Sequence, residues 1–262
     1  MMPYRININL ADIWAKPEFN SERVNQALFN EPLELLEKGQ RYSLVELADG
    51  YKGYVGNEFF SEEREQSGKD YVVSATLATA YTAPDKKAPV STILPFTSVI
   101  KVNKRHGGFI HSHTYRYGEI FLADDDVICF EQTPKLTRRT MPDFLESVKR
   151  FIGVPYLWGG KSFFGIDCSG LVQLNFKSFG VNLPRDTKDQ VKSGYEVRRD
   201  ELMPGDLIFF ERHVALAITD KDYIHSSLSR GGVYINSLDL SKSNYLEELD
   251  YGLKTVRRII ED

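Results

Sequence analysis

Apolar and polar residues alternate along much of the first half of the chain, which is the pattern of half-buried β-strands. Asp49-Gly50 and Gly107-Gly108 mark tight turns between such segments. The stretch 118–126, with three consecutive aspartates, is predicted to be a solvated loop. We therefore predict two small, mostly β domains, at 1–66 and 67–137, with strands at 6–10, 32–36, 43–47, 54–55, 71–73, 77–81, 98–102 and 127–130.

The periodicity becomes helical after residue 137. Apolar residues at 144, 145, 148, 151 and 152 predict an amphipathic helix that ends at Gly153, and a second helix follows over 171–179. Apolar runs at 207–210, 214–218 and 232–235 then predict an antiparallel meander. Helices followed by a meander predict an α+β domain at 138–262. If the helix carries a thiol and a later strand carries a base, the order of these elements is that of a papain-like domain.

A glycine-rich loop delivers Cys168 to the first turn of the second predicted helix. Unpaired N–H groups and the positive end of the helix dipole favour a thiolate there, so Cys168 is the candidate nucleophile. The alternative is a small buried residue in a helix cap. Asp167, directly before it, could serve only as the N-cap of the same helix.

A nucleophilic thiol also needs a base, a group that orients the base, and donors for the oxyanion. His213 begins a predicted strand and His225 lies twelve residues further on. If their strands are adjacent and antiparallel, the two imidazoles can meet. The helix-start N–H groups and the Tyr156 hydroxyl are candidate oxyanion donors. Structural histidines, and core positions for Tyr156 and Trp158, are the alternatives.

Composition excludes several classes of function. The net charge of −4 gives no case for nucleic acid or an anionic membrane, and no apolar run approaches the ~18 residues of a spanning helix. Residues 1–15 show no apolar core of a signal peptide, and two cysteines suit a reducing compartment. We therefore expect a cytoplasmic protein, or a secreted one if a leader has been removed. Cys129 is predicted to be inert core. The histidines at 106, 111 and 113 lie in a polar hairpin without further ligands at metal spacing, so we expect no metal and no cofactor.

At these residues the third domain resembles the NlpC/p60 family of cell-wall cysteine peptidases, which have a papain-like fold. The resemblance implies a catalytic triad of Cys168, His213 and His225. It covers residues 155 to 226 in the family's order. The matching segments are Tyr156-x-Trp158-Gly159-Gly160, Asp167-Cys168-Ser169-Gly170-Leu171, Leu183-Pro184-Arg185-Asp186, Pro204 to Phe210, His213-Val214-Ala215-Leu216 and Ile224-His225-Ser226.

The chain also resembles the YkfC-type subgroup, in which two bacterial SH3-like domains precede the peptidase and the first of them narrows the cleft. Such enzymes cut the γ-D-glutamyl bond to L-Lys or meso-diaminopimelate in murein peptides with a free N-terminal L-Ala, in cell-wall recycling. The resemblance implies substrate contacts from Trp158 and Thr187, the latter where serine is expected. It implies that the free amine and its neighbours are recognised by Tyr51, Asp167, Ser169, Asp186 and Glu22.

Two further functions stay open from the sequence. One is a non-catalytic module that binds peptidoglycan through the SH3-like domains. The other keeps the fold but cleaves a different amide, as an amidase or an endopeptidase acting on intact wall. Arg185 could bind a substrate carboxylate or form a structural ion pair.

Overall fold

The computed structural model describes residues 4–63 and 67–260. The chain forms two compact units, Met1–Thr133 and Pro134–Asp262. The predicted boundary at 66–67 adjoins residues outside the described part. The second unit begins at Pro134, four residues before the predicted domain start, and Leu136 is buried with its N–H donating to the Phe179 carbonyl at 2.9 Å. None of the helices in the described ranges has the length and apolarity needed to cross a bilayer.

The first seven strands form one antiparallel sheet in the order β3-β2-β6-β5-β4-β1-β7. Their alternating side chains pack a core that includes Ile13, Leu33 and Val45. The predicted strand 6–10 is interrupted, because the Asn7 N–H donates to the Phe59 carbonyl and the chain turns before pairing again. The strands are β1 Tyr4–Ile6, β2 Leu10–Trp14, β3 Arg23–Leu28, β4 Pro32–Glu37, β5 Tyr42–Leu47, β6 Lys52–Gly56 and β7 Phe60–Glu62.

Eight further strands form a five-stranded sheet, β10-β9-β14-β13-β12, and a three-stranded sheet, β11-β8-β15, around a second core. The predicted loop at 118–126 is wrong over most of its length. Ile120 and Leu122 alternate inward and are fully buried, so only 124–126 form a short 3₁₀ turn. The strands are β8 Lys69–Val73, β9 Leu77–Tyr81, β10 Val90–Pro95, β11 Val99–Val102, β12 Lys104–His106, β13 Phe109–Thr114, β14 Gly118–Ala123 and β15 Val127–Cys129.

The second unit has the predicted α+β composition. A six-stranded antiparallel sheet runs in the order β18-β23-β19-β20-β21-β22, with a small β16-β17 hairpin beside it. The helices are α1 Met141–Lys149, α2 Cys168–Ser178, α3 Thr187–Gln190 and α4 Glu247–Tyr251. The strands are β16 Lys161–Ser162, β17 Gly165–Ile166, β18 Tyr195–Val197, β19 Leu207–Phe210, β20 His213–Ala217, β21 Asp222–Ser227, β22 Gly232–Ser237 and β23 Thr255–Arg258.

Helix α2 is the buried centre of the second unit, and every residue from Cys168 to Phe176 is inaccessible to solvent or nearly so. Helix α1 covers it through Phe144, whose ring meets those of Phe176 and Phe179 edge-on at 5.0 and 5.3 Å. The polar Gln173 is tolerated inside because its amide donates to the Leu183 carbonyl at 3.0 Å. This packing fixes the position of the helix start that carries Cys168.

We expect Phe144→Ala to destabilise the second unit by about 3–5 kcal/mol, because it removes the ring that joins α1 to α2 and leaves a cavity. All α-helices of the described residues lie in this unit, so the helical circular dichroism signal during urea unfolding reports its stability. Ile152→Ala, at a half-exposed position of the same segment, should change the free energy of unfolding by less than about 0.5 kcal/mol. Equal effects of the two substitutions would contradict the packing argument.

Candidate active site

Asp167 organises the start of α2. As the N-cap residue, its Oδ1 accepts the Gly170 N–H at 2.7 Å, while Oδ2 accepts the Gly159 N–H at 2.9 Å. Arg185 adds a bidentate ion pair, at 2.9 Å to Oδ1 and 2.6 Å to Oδ2. These bonds tie the glycine-rich loop, the helix and the segment around Arg185 together next to Cys168. Arg185 thus forms the structural ion pair that was one of its two predicted roles.

The glycines at this place allow the loop backbone to lie directly on the helix. A Cβ added to Gly170 would sit 2.4 Å from the Gly160 carbonyl oxygen, and one on Gly160 would sit 2.5 Å from the Gly165 carbonyl oxygen. No real side chain tolerates such distances, so glycine is required for the close approach. The glycine-rich motif therefore sets the depth at which Cys168 is held.

The Cys168 side chain is 8% exposed and has polar neighbours. Its Sγ lies 3.9 Å from the Thr187 hydroxyl, and the Val214 N–H of β20 donates towards it. Burial raises the pKa of the thiol, and the nearby Asp167 charge raises it further; the bonds from Val214 and Thr187 and the Arg185 charge oppose this. Burial thus opposes the helix-start effect on the pKa of the thiol, and the predicted resting thiolate stays a prediction.

The two predicted histidines meet, and a third side chain continues the hydrogen-bond chain. His213 Nε2 lies 2.8 Å from His225 Nδ1, and His225 Nε2 lies 3.0 Å from Asn236 Oδ1. The Asn236 amide nitrogen donates to the Asn244 carbonyl at 2.7 Å, which fixes the orientation of the amide. Since Oδ1 only accepts, His225 carries its proton on Nε2 and accepts at Nδ1. His213 then carries its proton on Nε2, which leaves its Nδ1 as the basic nitrogen.

Both imidazoles are neutral near pH 7. Burial, together with the neighbouring His225, lowers the pKa of His213 to about 3. Burial lowers the pKa of His225 to about 4, against the opposing effect of the bond to Asn236. The Cys168 thiol thus lies at the helix start and a neutral imidazole pair lies on the sheet, with the strand that begins at His213 donating to the sulfur.

Tyr156 lies close enough to the thiol for their charges to interact. Burial raises the pKa of its hydroxyl, and the negative charges possible at Cys168 and Asp167 raise it further, so the phenol stays protonated as a donor. The Gly170 and Leu171 N–H groups are already bonded to Asp167. The Cys168 N–H has no acceptor within residues 4–63 and 67–260. Tyr156 and this N–H are candidate donors to an oxyanion.

The other residues of the second unit that were predicted to bind substrate differ in how far they are exposed to solvent. Thr187 touches the sulfur, whereas Asp186 is one-third exposed, with Lys188 Nζ 3.5 Å from its carboxylate. Trp158 is 58% exposed, so it is not a core aromatic. Asp167 is saturated by its donors, and the Ser169 hydroxyl lies between it and Arg185, donating to Asp167 at 3.3 Å and accepting at 2.8 Å. Substrate contacts of all these residues stay predictions.

Two predicted substrate residues, Tyr51 and Glu22, belong to the first unit. Tyr51 follows the Asp49-Gly50 turn, where its N–H donates to Asp49 Oδ1 at 3.0 Å. Glu22 lies just before β3. Their parts in substrate binding also stay predictions.

The structure also places the cysteine and the histidines to which the sequence analysis gave no catalytic role. Cys129 is only partly buried, with its thiol 3.2 Å from Glu131 Oε2, so the prediction of a core position is wrong because β15 ends there. His111 and His113 both bond Glu119 on the neighbouring strand β14. Within the described ranges, no group of three or more His, Cys, Asp or Glu side chains is arranged to hold a metal.

Asn236 is the functional candidate that the sequence reasoning missed. It is fully buried on β22, diagonally across from His225 on β21, where cross-strand register pairs Tyr223 with Asn236. The available signal was an amide at an inward position of an apolar strand. A buried polar side chain at such a position needs a partner.

Two family models match the chain. Residues 153–248 match the NlpC/P60 family, and residues 13–58 match a bacterial dipeptidyl-peptidase SH3 domain.

Full-length relatives agree with these matches. A protein of Bacillus subtilis named gamma-D-glutamyl-L-lysine dipeptidyl-peptidase is 30% identical over 86% of this chain and 78% of its own length. Dipeptidyl-peptidase 6 of Lysinibacillus sphaericus is 27% identical over 92% and 93%. In fold, a crystal structure of an NlpC/P60 family protein from Bacillus cereus covers 98% of this chain and 99% of its own, with a TM-score of 0.86 at 21% identity.

These comparisons confirm the predicted fold class, which is a papain-like α+β domain preceded by SH3-like β-barrels. The coverage of the Bacillus subtilis relative extends over both parts of the chain. The site combines a thiol at the start of a buried helix with a base on the adjoining sheet. The chain therefore belongs to the NlpC/P60 family and is a cysteine peptidase.

Proposed function

We propose that this peptidase hydrolyses the amide between the γ-carboxyl of D-glutamate and an L-diamino acid, in short murein peptides with a free N-terminal L-Ala. The observation that carries the proposal is the hydrogen-bond chain His213–His225–Asn236, which leaves one basic nitrogen on the strand that contacts the Cys168 sulfur. The bond specificity is supported by the relatives, whose names specify γ-D-glutamyl-L-lysine dipeptides and dipeptidyl-peptidase activity.

In the acylation step, His213 Nδ1 takes the thiol proton as the Cys168 sulfur attacks the γ-carbonyl carbon. The Cys168 N–H and the Tyr156 hydroxyl donate to the oxyanion of the tetrahedral intermediate. The carbon–nitrogen bond then breaks while the imidazolium returns its proton to the leaving α-amine. His225, held by Asn236, keeps the His213 ring in the required tautomer.

In the deacylation step, His213 takes a proton from water as its oxygen attacks the thioester carbon. The carbon–sulfur bond breaks, and the proton restores the Cys168 thiol. The products are L-Ala-D-Glu, whose γ-carboxyl is now free, and the free diamino acid. Both neutral partners of the resting site are thus regenerated, and no redox or metal chemistry enters the cycle.

At the other end of the substrate, the free α-ammonium needs carboxylate or hydroxyl acceptors. Of the two aspartates predicted to bind substrate, Asp186 is the accessible one, since the oxygens of Asp167 already accept bonds from protein donors. We assign the ammonium to Asp186 and the positioning of the helix start to Asp167. Action on short free peptides places the enzyme in wall-peptide recycling, for which we propose a cytoplasmic location.

We expect Cys168→Ala to reduce release of L-lysine from L-Ala-γ-D-Glu-L-Lys by at least about three orders of magnitude, because the nucleophile is removed. Mass spectrometry of the products measures this. Cys129→Ala removes the other cysteine, which lies in the first unit, and should keep full turnover. Full turnover by Cys168→Ala would refute the mechanism, and products of other mass would show that a different amide is cut.

We expect N-acetylation of the substrate's L-Ala to reduce kcat/KM by about a hundredfold or more, because a site that pairs an ammonium is left with an unmatched carboxylate. Asp186→Asn should reduce the difference in kcat/KM between the free and the acetylated peptide. The measurement is kcat/KM for both peptides with both proteins. Equal rates on both peptides with the unaltered enzyme would exclude recognition of the free amine while leaving the peptidase chemistry in place.

We expect the acid limb of kcat/KM to lie well below pH 6.5, because the lowered pKa keeps His213 neutral and basic there. Asn236→Asp should move the limb upwards by about one pH unit or more, since a carboxylate favours the imidazolium. The profile is measured only where circular dichroism shows a folded protein, as stability conferred by neutral buried histidines is lost as the pH falls from 6.5 towards their folded pKa values. A limb at or above pH 6.5 in the unaltered enzyme would contradict the neutral resting pair.

A further inference from the structure

A cavity of about 680 Å³ adjoins the two catalytic histidine candidates within the second unit. It lies between the turn after β21 and the segment that leads into α4. Its wall includes His213, His225, Arg230, Tyr245, Glu247 and Glu248. Its volume is in the range of small-ligand sites and exceeds what one amino acid requires.

Among the described residues, the charged side chains of this cavity form no ion pairs with one another or with other side chains. Arg230 lies over the Tyr234 ring, with its guanidinium carbon 5.1 Å from the ring centroid, and forms no ion pair within residues 4–63 and 67–260. The same holds for Glu247 and Glu248 in that part of the chain. In contrast, Asp250 on the same helix is used internally by Tyr245 and Arg199.

The position of the cavity determines which part of the substrate it can receive. In the proposed reaction, the leaving α-amine takes its proton from His213, so the rest of the leaving group lies beside this ring. That leaving group is a diamino acid, with a carboxylate on the carbon that bears the amine and an ammonium at the far end of its side chain. Arg230 acts electrostatically on His225, which places its charge on the histidine side of the cavity.

We propose that this cavity is the subsite for the leaving diamino acid, with Arg230 holding its α-carboxylate and Glu247 and Glu248 holding its distal ammonium. This inference rests on the proposed function and adds the choice of diamino acid. Two acidic groups and one basic group match the L-lysine residue of the uncleaved peptide, which carries one carboxylate and one side-chain ammonium. They disfavour meso-diaminopimelate, whose second carboxylate would lie near Glu247 and Glu248.

The experiment compares kcat/KM for L-Ala-γ-D-Glu-X, where X is L-lysine, L-norleucine or meso-diaminopimelate. Norleucine has the length of lysine without the ammonium. The unaltered enzyme should prefer lysine about five- to tenfold over both other residues, the range of partly exposed ion pairs. The double variant Glu247→Gln/Glu248→Gln should cleave the three peptides with similar kcat/KM. Glu146→Gln with Glu196→Gln removes two exposed carboxylates of the same unit outside the cavity and should keep the preference.

A second comparison tests Arg230. Arg230→Gln should lower kcat/KM for the free acid of the lysine peptide towards that of its C-terminal amide, whereas the unaltered enzyme distinguishes the two.

The substrate series with the unaltered enzyme separates the possible failures. If none of the three peptides is cleaved at the γ-glutamyl bond, the proposed function fails. If all three are cleaved with equal kcat/KM, or if the preference survives in Glu247→Gln/Glu248→Gln, the subsite is overturned while the proposed function stands.

Discussion

The buried ion pair between Asp167 and Arg185 is the interaction on which the site depends. Both side chains are almost withdrawn from water, and the carboxylate also accepts backbone N–H groups from the loop and the helix. Removing one partner of such a pair leaves an uncompensated charge, at a cost of about 3–5 kcal/mol. Three separate segments meet on this one carboxylate, so the residue after it, Cys168, has a position that no single segment could fix.

The same burial decides the charge state of the reacting groups. A helix start favours a nearby anion by roughly 1 kcal/mol. Full burial shifts a pKa by up to 3–5 units, at 1.36 kcal/mol per unit, in the direction of the neutral form. Burial therefore wins at Cys168 and at both histidines, as the directions of their pKa shifts show. In the proposed mechanism, the thiol proton therefore moves during the attack, and His213 acts as a general base instead of a preformed imidazolium.

Local sequence predicts the fold class well, and it singles out the thiol and the two histidines that the structure places in one unit. Period-two alternation located most strands, and glycine spacing located the loop before Cys168, because both are short-range effects. The errors arose where long-range packing decides. The loop predicted from three adjacent aspartates is mostly a strand, because Ile120 and Leu122 alternate inwards and pack into a core built from distant strands. Asn236 was missed because its role is set by cross-strand register, which no local pattern reveals. The burial that raises the pKa of Cys168 is likewise a property of the whole unit and is not visible in the local sequence.

An amide at the end of the histidine chain is consistent with this uncharged site. A carboxylate in place of Asn236 would add a buried negative charge and pull a proton onto the imidazoles, which would weaken the base. The amide supplies the same acceptor geometry without the charge, and its own nitrogen is anchored on the Asn244 carbonyl. The chain of tautomers from Asn236 through His225 to His213 thus directs one lone pair outwards while every buried member stays neutral. The ring is oriented by hydrogen-bond direction alone, which is the form of control that a desolvated site can keep without paying for an unpaired ion.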